Sequence, residues 1–261
     1  MNMKQLLADI DSRKEKLTAQ RPLTQGEAER LRDEFIIGFT YNSNAIEGNT
    51  MTLDETALVL REGVTIDGKS VKEHMELIGH RDACMFVEDL VRDAAPLTER
   101  TILDIHSLVL MDRREDRGVY RRVPVTITGT QAELPQPWAV PVEMEKLLAE
   151  YHGEMQAMHP VERAALFHLR FESVHPFIDG NGRTGRLLMN LELMKEGFPP
   201  IDVKFQDRAR YISCFKAWNA GKDAGPMTEL AGEYMAARLE EYLRILEIAN
   251  GYRQGPELKM T

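Results

Sequence analysis

Apolar residues recur at helical spacing through most of the chain, in runs separated by short polar breaks. The spacing predicts helices over about 3–19, 24–42, 52–62, 70–94, 98–111, 141–157, 160–174, 183–196, 207–220 and 228–249. Three of these open on a capping box, Thr24 with Glu27, Thr52 with Glu55 and Ser70 with Glu73. There a hydroxyl and a carboxylate answer the first unpaired N–H groups of a helix. Two runs are apolar around nearly the whole helical circumference: VERAALFHLRFESV at 161–174 and LLMNLELM at 187–194. Helices of that kind belong at the centre of a fold.

One stretch breaks the pattern. Residues 118–129, GVYRRVPVTITG, are β-branched and roughly alternating, which suits a short strand or hairpin. Pro135, Pro137 and Pro141 then hold off the next helix. From the residues alone, such a hairpin either closes a loop or offers an edge for pairing with an extended peptide. The fold class expected is mainly α with a small β-hairpin.

Length and charge narrow the function. The chain has 261 residues, enough to bury a core as one large domain or as a core with an N-terminal extension. Its formal net charge of −9 argues against non-specific nucleic-acid binding, which draws on dense Lys and Arg. No apolar run approaches the roughly 20 residues that span a bilayer, and the start carries no secretory h-region, so a cytoplasmic protein without a membrane partner is expected. Cys84 and Cys214 stand far apart and read as reduced thiols. His74, His80, His106, His152, His159 and His168 lack zinc-ligand spacing and read as surface or core polar residues. Arg113, Arg114, Arg117, Arg121 and Arg122 form a basic group that is either a solvated turn or a contact for an anion or partner.

Between the two core helices lies His175-Pro-Phe-Ile-Asp-Gly-Asn-Gly-Arg-Thr-Gly-Arg186. Each residue has a physical task. Pro176 disfavours helical dihedrals at His175, so the preceding helix ends and the imidazole projects. Phe177 anchors the loop in the core. Gly180 and Gly182 let backbone N–H groups approach a ligand at a helix start, where the dipole favours an anion. Arg183 and Arg186 share a helical face and suit phosphate. Asp179 is a single hard carboxylate, as magnesium takes when phosphate oxygens and water complete its shell. An imidazole with an ordinary pKa of about 6.5 can accept a proton from an attacking hydroxyl. The set reads as phosphate-centred transfer, without a P-loop or a strand-led dinucleotide fingerprint.

This string resembles the Fic family signature, His-x-Phe-x-Asp/Glu-Gly-Asn-Gly-Arg-x-x-Arg, at every defining position. The likeness extends over about residues 35–240. It implies a Fic-type helical bundle in which residues 1–69 form an N-terminal helical extension, 70–249 the catalytic core and 250–261 a fraying tail. It implies a protein adenylyltransferase that moves AMP from ATP to a Ser, Thr or Tyr hydroxyl of a target protein, or of itself. His175 would be the base and Asp179 would hold Mg²⁺. Asn181 would bind the α-phosphate, Gly180, Gly182 and Arg183 would hold the phosphates, and Arg186 would orient the γ-phosphate. Tyr211 and Asn219 would meet the adenine, and Val123, Pro124, Val125, Thr126, Ile127 and Thr128 would form a hairpin flap that aligns the target. Members are often homodimers.

Upstream, Ser43-Asn-Ala-Ile-Glu47-Gly48 is similar to the family's inhibitory motif. By that resemblance Glu47 would make a fork-like ion pair with Arg186 and deny it to the γ-phosphate, with Ser43 fixing the short helix. Other functions stay open at the same site: removal of AMP, transfer of another phosphate-bearing group, or a non-catalytic nucleotide-binding regulator.

Overall fold

Capping chemistry sets where the first five helices begin in the computed structural model, which describes residues 2–126 and 133–253. Asn2 with Gln5 opens α1 (Met3–Thr18), Thr24 with Glu27 opens α2 (Gln25–Ile46), Thr52 with Glu55 opens α3 (Leu53–Glu62), Ser70 with Glu73 opens α4 (Val71–Arg92) and Thr98 with Thr101 opens α5 (Glu99–Val109). In each, the cap side chain accepts the N–H three residues on, and that residue's side chain answers the cap's own N–H. Each such cap contributes about 1 kcal/mol.

The expected 141–157 helix is divided at Gly153 into α6 (Val140–His152) and a 3₁₀ turn at Glu154–Ala157. Then follow α7 (Pro160–Val174), α8 (Asn181–Lys195), α9 (Arg208–Gly221) and α10 (Gly225–Arg253). Among the described residues every regular element is helical. Of the hairpin expected across 118–129, the described residues up to Thr126 carry no strand. Ile127 and Thr128 lie outside the described residues, as does the tail from residue 254.

The two runs that are apolar on all sides become α7 and α8, which pack against one another as a central wall. Phe167 and Phe171 of α7 and Leu187, Leu188 and Leu191 of α8 face a core shared with Phe39, Ile102, Ile105, Val109, Met144 and Leu147. On the other side Ala164, Leu169, Met189 and Leu193 meet Leu6, Ile10, Trp218, Leu230 and Met235. Both clusters are fully closed to water around Phe167, Phe171 and Leu230, so truncating either phenylalanine costs roughly 3–5 kcal/mol. The α7–α8 loop is thereby held from both sides. Among the described residues no helix is long and apolar enough to cross a membrane.

Candidate active site

α7 ends at His175, whose backbone is left-handed (φ 47°, ψ 61°) while its N–H still donates to the Phe171 carbonyl. For a non-glycine residue that conformation costs roughly 1–2 kcal/mol and persists only where the surroundings enforce it. The enforcement is visible. Phe177 is fully buried and stacks on the His106 ring at 3.5 Å between centroids. Asn181 brackets Phe177, donating to its carbonyl and accepting its N–H, both at 2.9 Å. His106 Nδ1 accepts the Gly118 N–H at 2.9 Å, so Nε2–H donates to the Asp179 carbonyl at 3.0 Å. Burial pushes the His106 pKa down to about 4, which keeps the ring neutral in this tautomer.

Arg121 fastens the same loop from outside the motif. Its backbone N–H donates to the Pro176 carbonyl, Nε donates to the His175 carbonyl at 2.9 Å, and Nη2 reaches the Pro135 carbonyl. Of the basic group at 113–122, Arg121 is therefore a buried staple, and Arg113 lies 3.2 Å from the Asp179 carboxylate. The sequence marks Arg121 only as one of a basic group and His106 only as a surface or core polar residue. Their partners are backbone atoms distant along the chain, which no local pattern reveals.

Above the loop opens a cavity of about 1100 Å³. His175, Asp179, Gly180, Asn181, Gly182 and Arg186 line it from the motif, Glu47 from the end of α2, Tyr211 and Asn219 from α9, and Thr126 from the expected flap. Val123, Pro124, Val125, Ser43 and Arg183 are outside its wall. Arg183 is buried behind it, 3.3 Å from Asp179, 3.4 Å from the Asn44 side-chain oxygen and 3.5 Å from Glu76. A direct phosphate contact from Arg183 is thus not prepared in this structure, and its charge reaches the cavity through Asp179. Burial by itself would raise the Asp179 carboxyl, but Arg183, the Gly180 N–H and Arg113 together hold it below its ordinary range.

Arg186 is the most completely partnered group of the site. Nε donates to Ser43 Oγ at 3.0 Å, Nη1 to the Tyr211 hydroxyl at 3.2 Å, and Nη2 to the Ser43 carbonyl and to Glu47 Oε1, each at 2.8 Å. The fork expected between Glu47 and Arg186 is a single-toothed contact, because Ser43 and Tyr211 already hold the other two nitrogens. Ser43 accordingly fixes the arginine rather than its own helix. The Glu47 carboxylate also sits against Gly182 in the first turn of α8: a Cβ there would lie 2.2 Å from Oε1. A carboxylate at the start of that helix stands where its dipole favours an anion.

Tyr211 is nearly closed to water, and its hydroxyl is engaged by Arg186 and by His168 Nε2 at 2.7 Å. It borders the cavity while anchoring Arg186. Ile212, Phe215 and Arg208 from the same helix also line the wall, and Arg208 donates to the Ile46 carbonyl beside Glu47. No local pattern distinguishes these three.

Among the described residues no cluster of three or more His, Cys, Asp or Glu side chains could hold a metal. A magnesium ion that takes one carboxylate and draws its other ligands from phosphates and water needs no such cluster. Asp179, partly exposed to the cavity and ionised by its neighbours, fits that donor set.

Residues 96–193 match the Fic/DOC family. The chain is similar to the protein adenylyltransferase Fic of Nematostella vectensis, 33% identical over 246 residues that make up 92% of this chain and 56% of that protein. It spans about half the length of the curated relatives it matches. Among solved structures, Fic-1 from C. elegans superposes with a TM-score of 0.83 at 28% identity, covering 95% of this chain and 73% of that one. A Fic-domain signaling protein from Bacteroides thetaiotaomicron gives 0.81 at 28% identity, covering 95% and 97%. With the signature loop, the helical frame and these relatives in agreement, the chain belongs to the Fic/DOC family.

Proposed function

We propose that this chain is a protein adenylyltransferase whose Glu47 holds it inactive. The observation that carries the reading is the convergence of His175, Asp179, Gly182 and Arg186 on one cavity, with the Glu47 carboxylate lying against the last two. Names of the relatives point the same way.

In this reading the triphosphate lies along the first turn of α8, with its γ-phosphate on Arg186 in the place of Glu47. The Nδ1 side of His175 is turned to Glu172, which leaves Nε2 as the base. His175 Nε2 takes the proton of a target hydroxyl as the hydroxyl oxygen bonds to the α-phosphorus. The bond from that phosphorus to its bridging oxygen breaks, and pyrophosphate leaves with the electron pair. Mg²⁺ held by Asp179 would neutralise charge on the phosphates. The remaining catalysis is positioning and charge stabilisation by fixed groups. With Glu47 in place, ATP can enter but its γ-phosphate lacks Arg186, and the α-phosphorus is out of line for attack.

Glu47 lines the same cavity as His175 and is part-exposed there, which also suits it to orient a water for removal of AMP from a modified target. The sign of the mass change separates the two. Purified Glu47→Gly protein incubated with ATP and Mg²⁺ is expected to gain the mass of one AMP on itself or an added target, and Glu47→Gly/His175→Ala is not. A mass gain that persists without His175 overturns the base assignment. A loss of AMP from a modified target, with no gain under any condition, supports removal instead.

A further inference from the structure

Glu172 lies one turn before His175 on α7, lines the cavity with 11% of its side chain exposed, and among the described residues has no Lys or Arg within ion-pair distance. Its Oε2 stands 3.3 Å from His175 Nδ1, close but without hydrogen-bond geometry, so that both His175 Nδ1 and Glu172 Oε1 are buried without a hydrogen-bond partner. His168 Nδ1 is likewise buried and unpartnered. Both press on the Cα of Gly185: a Cβ at that position would sit 2.6 Å from His168 Nδ1 and 3.0 Å from Glu172 Oε1. The missing side chain of Gly185 leaves open the space that both groups border.

The proton on His168 follows from its other side. Arg186 Nη1 can only donate, so the Tyr211 oxygen accepts from it. The phenol hydrogen then turns to His168 Nε2 at 2.7 Å, which must accept. Burial pushes the His168 pKa down to about 4, so the ring is neutral and its proton is on Nδ1, facing Glu172. Although burial would raise it, the Glu172 carboxyl is held below its ordinary range by His175, His168 and Arg186, and it is ionised.

We propose that Glu172 is the positioning residue of the base, a carboxylate that takes N–H groups from His168 and His175 and so fixes His175 with its proton on Nδ1 and Nε2 free for the target hydroxyl. A carboxylate behind a catalytic imidazole holds its tautomer and stabilises the imidazolium that forms on proton transfer. Contacts run from His168 through Tyr211 to Arg186, so the arginine that meets the inhibitory glutamate also sets which nitrogen of His168 carries the proton. This role rests on His175 being the base, as proposed above.

The test uses the full-length Glu47→Gly protein as reference and adds Glu172→Gln. Transfer is expected to fall roughly ten- to a hundredfold in kcat with ATP affinity unchanged. The groups facing Glu172 are His175, His168, Arg186 and Tyr211, and with its charge gone the His175 imidazolium loses support. Glu172→Asp keeps the charge but withdraws it by one methylene, and is expected to fall between the two; it carries the test if the Gln protein does not fold. Nitrogen-15 NMR of His175 gives a readout independent of activity: Nδ1–H with Glu172 in place, a mixture of tautomers in the variants. An unchanged kcat, or an unchanged tautomer, overturns the positioning role. Absence of transfer by the Glu47→Gly reference would count against the adenylyltransferase reading, and the tautomer would still decide the role of Glu172.

Discussion

Replacing Glu47 by Gly removes one contact from an arginine that keeps three others. At 2.8 Å and an effective dielectric of about 20, the bare attraction between Glu47 and Arg186 is roughly 6 kcal/mol. Arg186 is 1% exposed but the Glu47 side chain is 40% exposed, so water screens the pair and the cost of desolvating the carboxylate offsets much of the rest. A net preference of roughly 1–3 kcal/mol remains, which corresponds to about a 5- to 150-fold change in how often Arg186 is open to a γ-phosphate. Transfer of labelled AMP by Glu47→Gly should rise by a factor in that range, and Glu47→Gln, which keeps the shape without the charge, should rise less. The fold should be indifferent. Ser43 Oγ, the Ser43 carbonyl and Tyr211 continue to hold the guanidinium. Glu47 is moreover the C-cap of α2, a position where a carboxylate opposes that helix's dipole. Losing 1–3 kcal/mol at about 2–4 °C per kcal/mol sets an upper bound of roughly 10 °C on the fall in thermal midpoint, which relief of the opposed dipole reduces. Wild-type and Glu47→Gly proteins with equal transfer rates, at equal ATP occupancy, would refute the reasoning.

Other outcomes follow from the frame around the site. His106 and His168 both have folded pKa values pushed down to about 4 by burial, against an unfolded value of about 6.5. Between those values the unfolded chain binds more protons, so stability is full above pH 6.5 and is lost as pH falls towards 4, by roughly 3 kcal/mol for each ring. Urea unfolding across that window should show the slope, His106→Asn should remove about half of it, and a flat profile would contradict the buried neutral rings. Arg121→Ala leaves the His175 and Pro135 carbonyls without their donor and is expected to cost roughly 2–4 kcal/mol, read as a lowered urea midpoint together with weaker transfer in the Glu47→Gly background.

Much of the frame was legible because its signals are local. Thr24, Thr52 and Ser70 start helices where their capping boxes sit, and the two all-apolar runs became the central pair. The end of α2 was not legible. A helix stopping near residue 42 is the natural reading of Asn42-Ser43-Asn44, yet α2 continues to Ile46. Those polar side chains are satisfied at long range: Asn42 by Asp202 and the Phe205 N–H, Ser43 by Arg186, and Asn44 by Arg183 and the Thr40 carbonyl. What reads as a polar break is the face that α2 turns towards the site. α8 likewise starts two residues before the expected 183, because Gly180 adopts φ 76° and turns the chain into the helix at Asn181. The motif was legible as a set of residues, most of which line one cavity, but the partners of two site residues were not. Arg183 turns back to Asp179 and Asn44, and Tyr211 serves Arg186, since both depend on groups brought in by α2, α4 and α7.

The most direct measurement is a crystal structure of the Glu47→Gly protein with Mg²⁺ and a non-hydrolysable ATP analogue. The triphosphate is expected along the Gly180–Gly182 turn, with its γ-phosphate on Arg186, a metal between Asp179 and the phosphates, and the α-phosphorus facing His175 Nε2. An analogue bound away from this loop, or bound there with Arg186 still closed on Ser43 and no phosphate within reach, would contradict the proposed site.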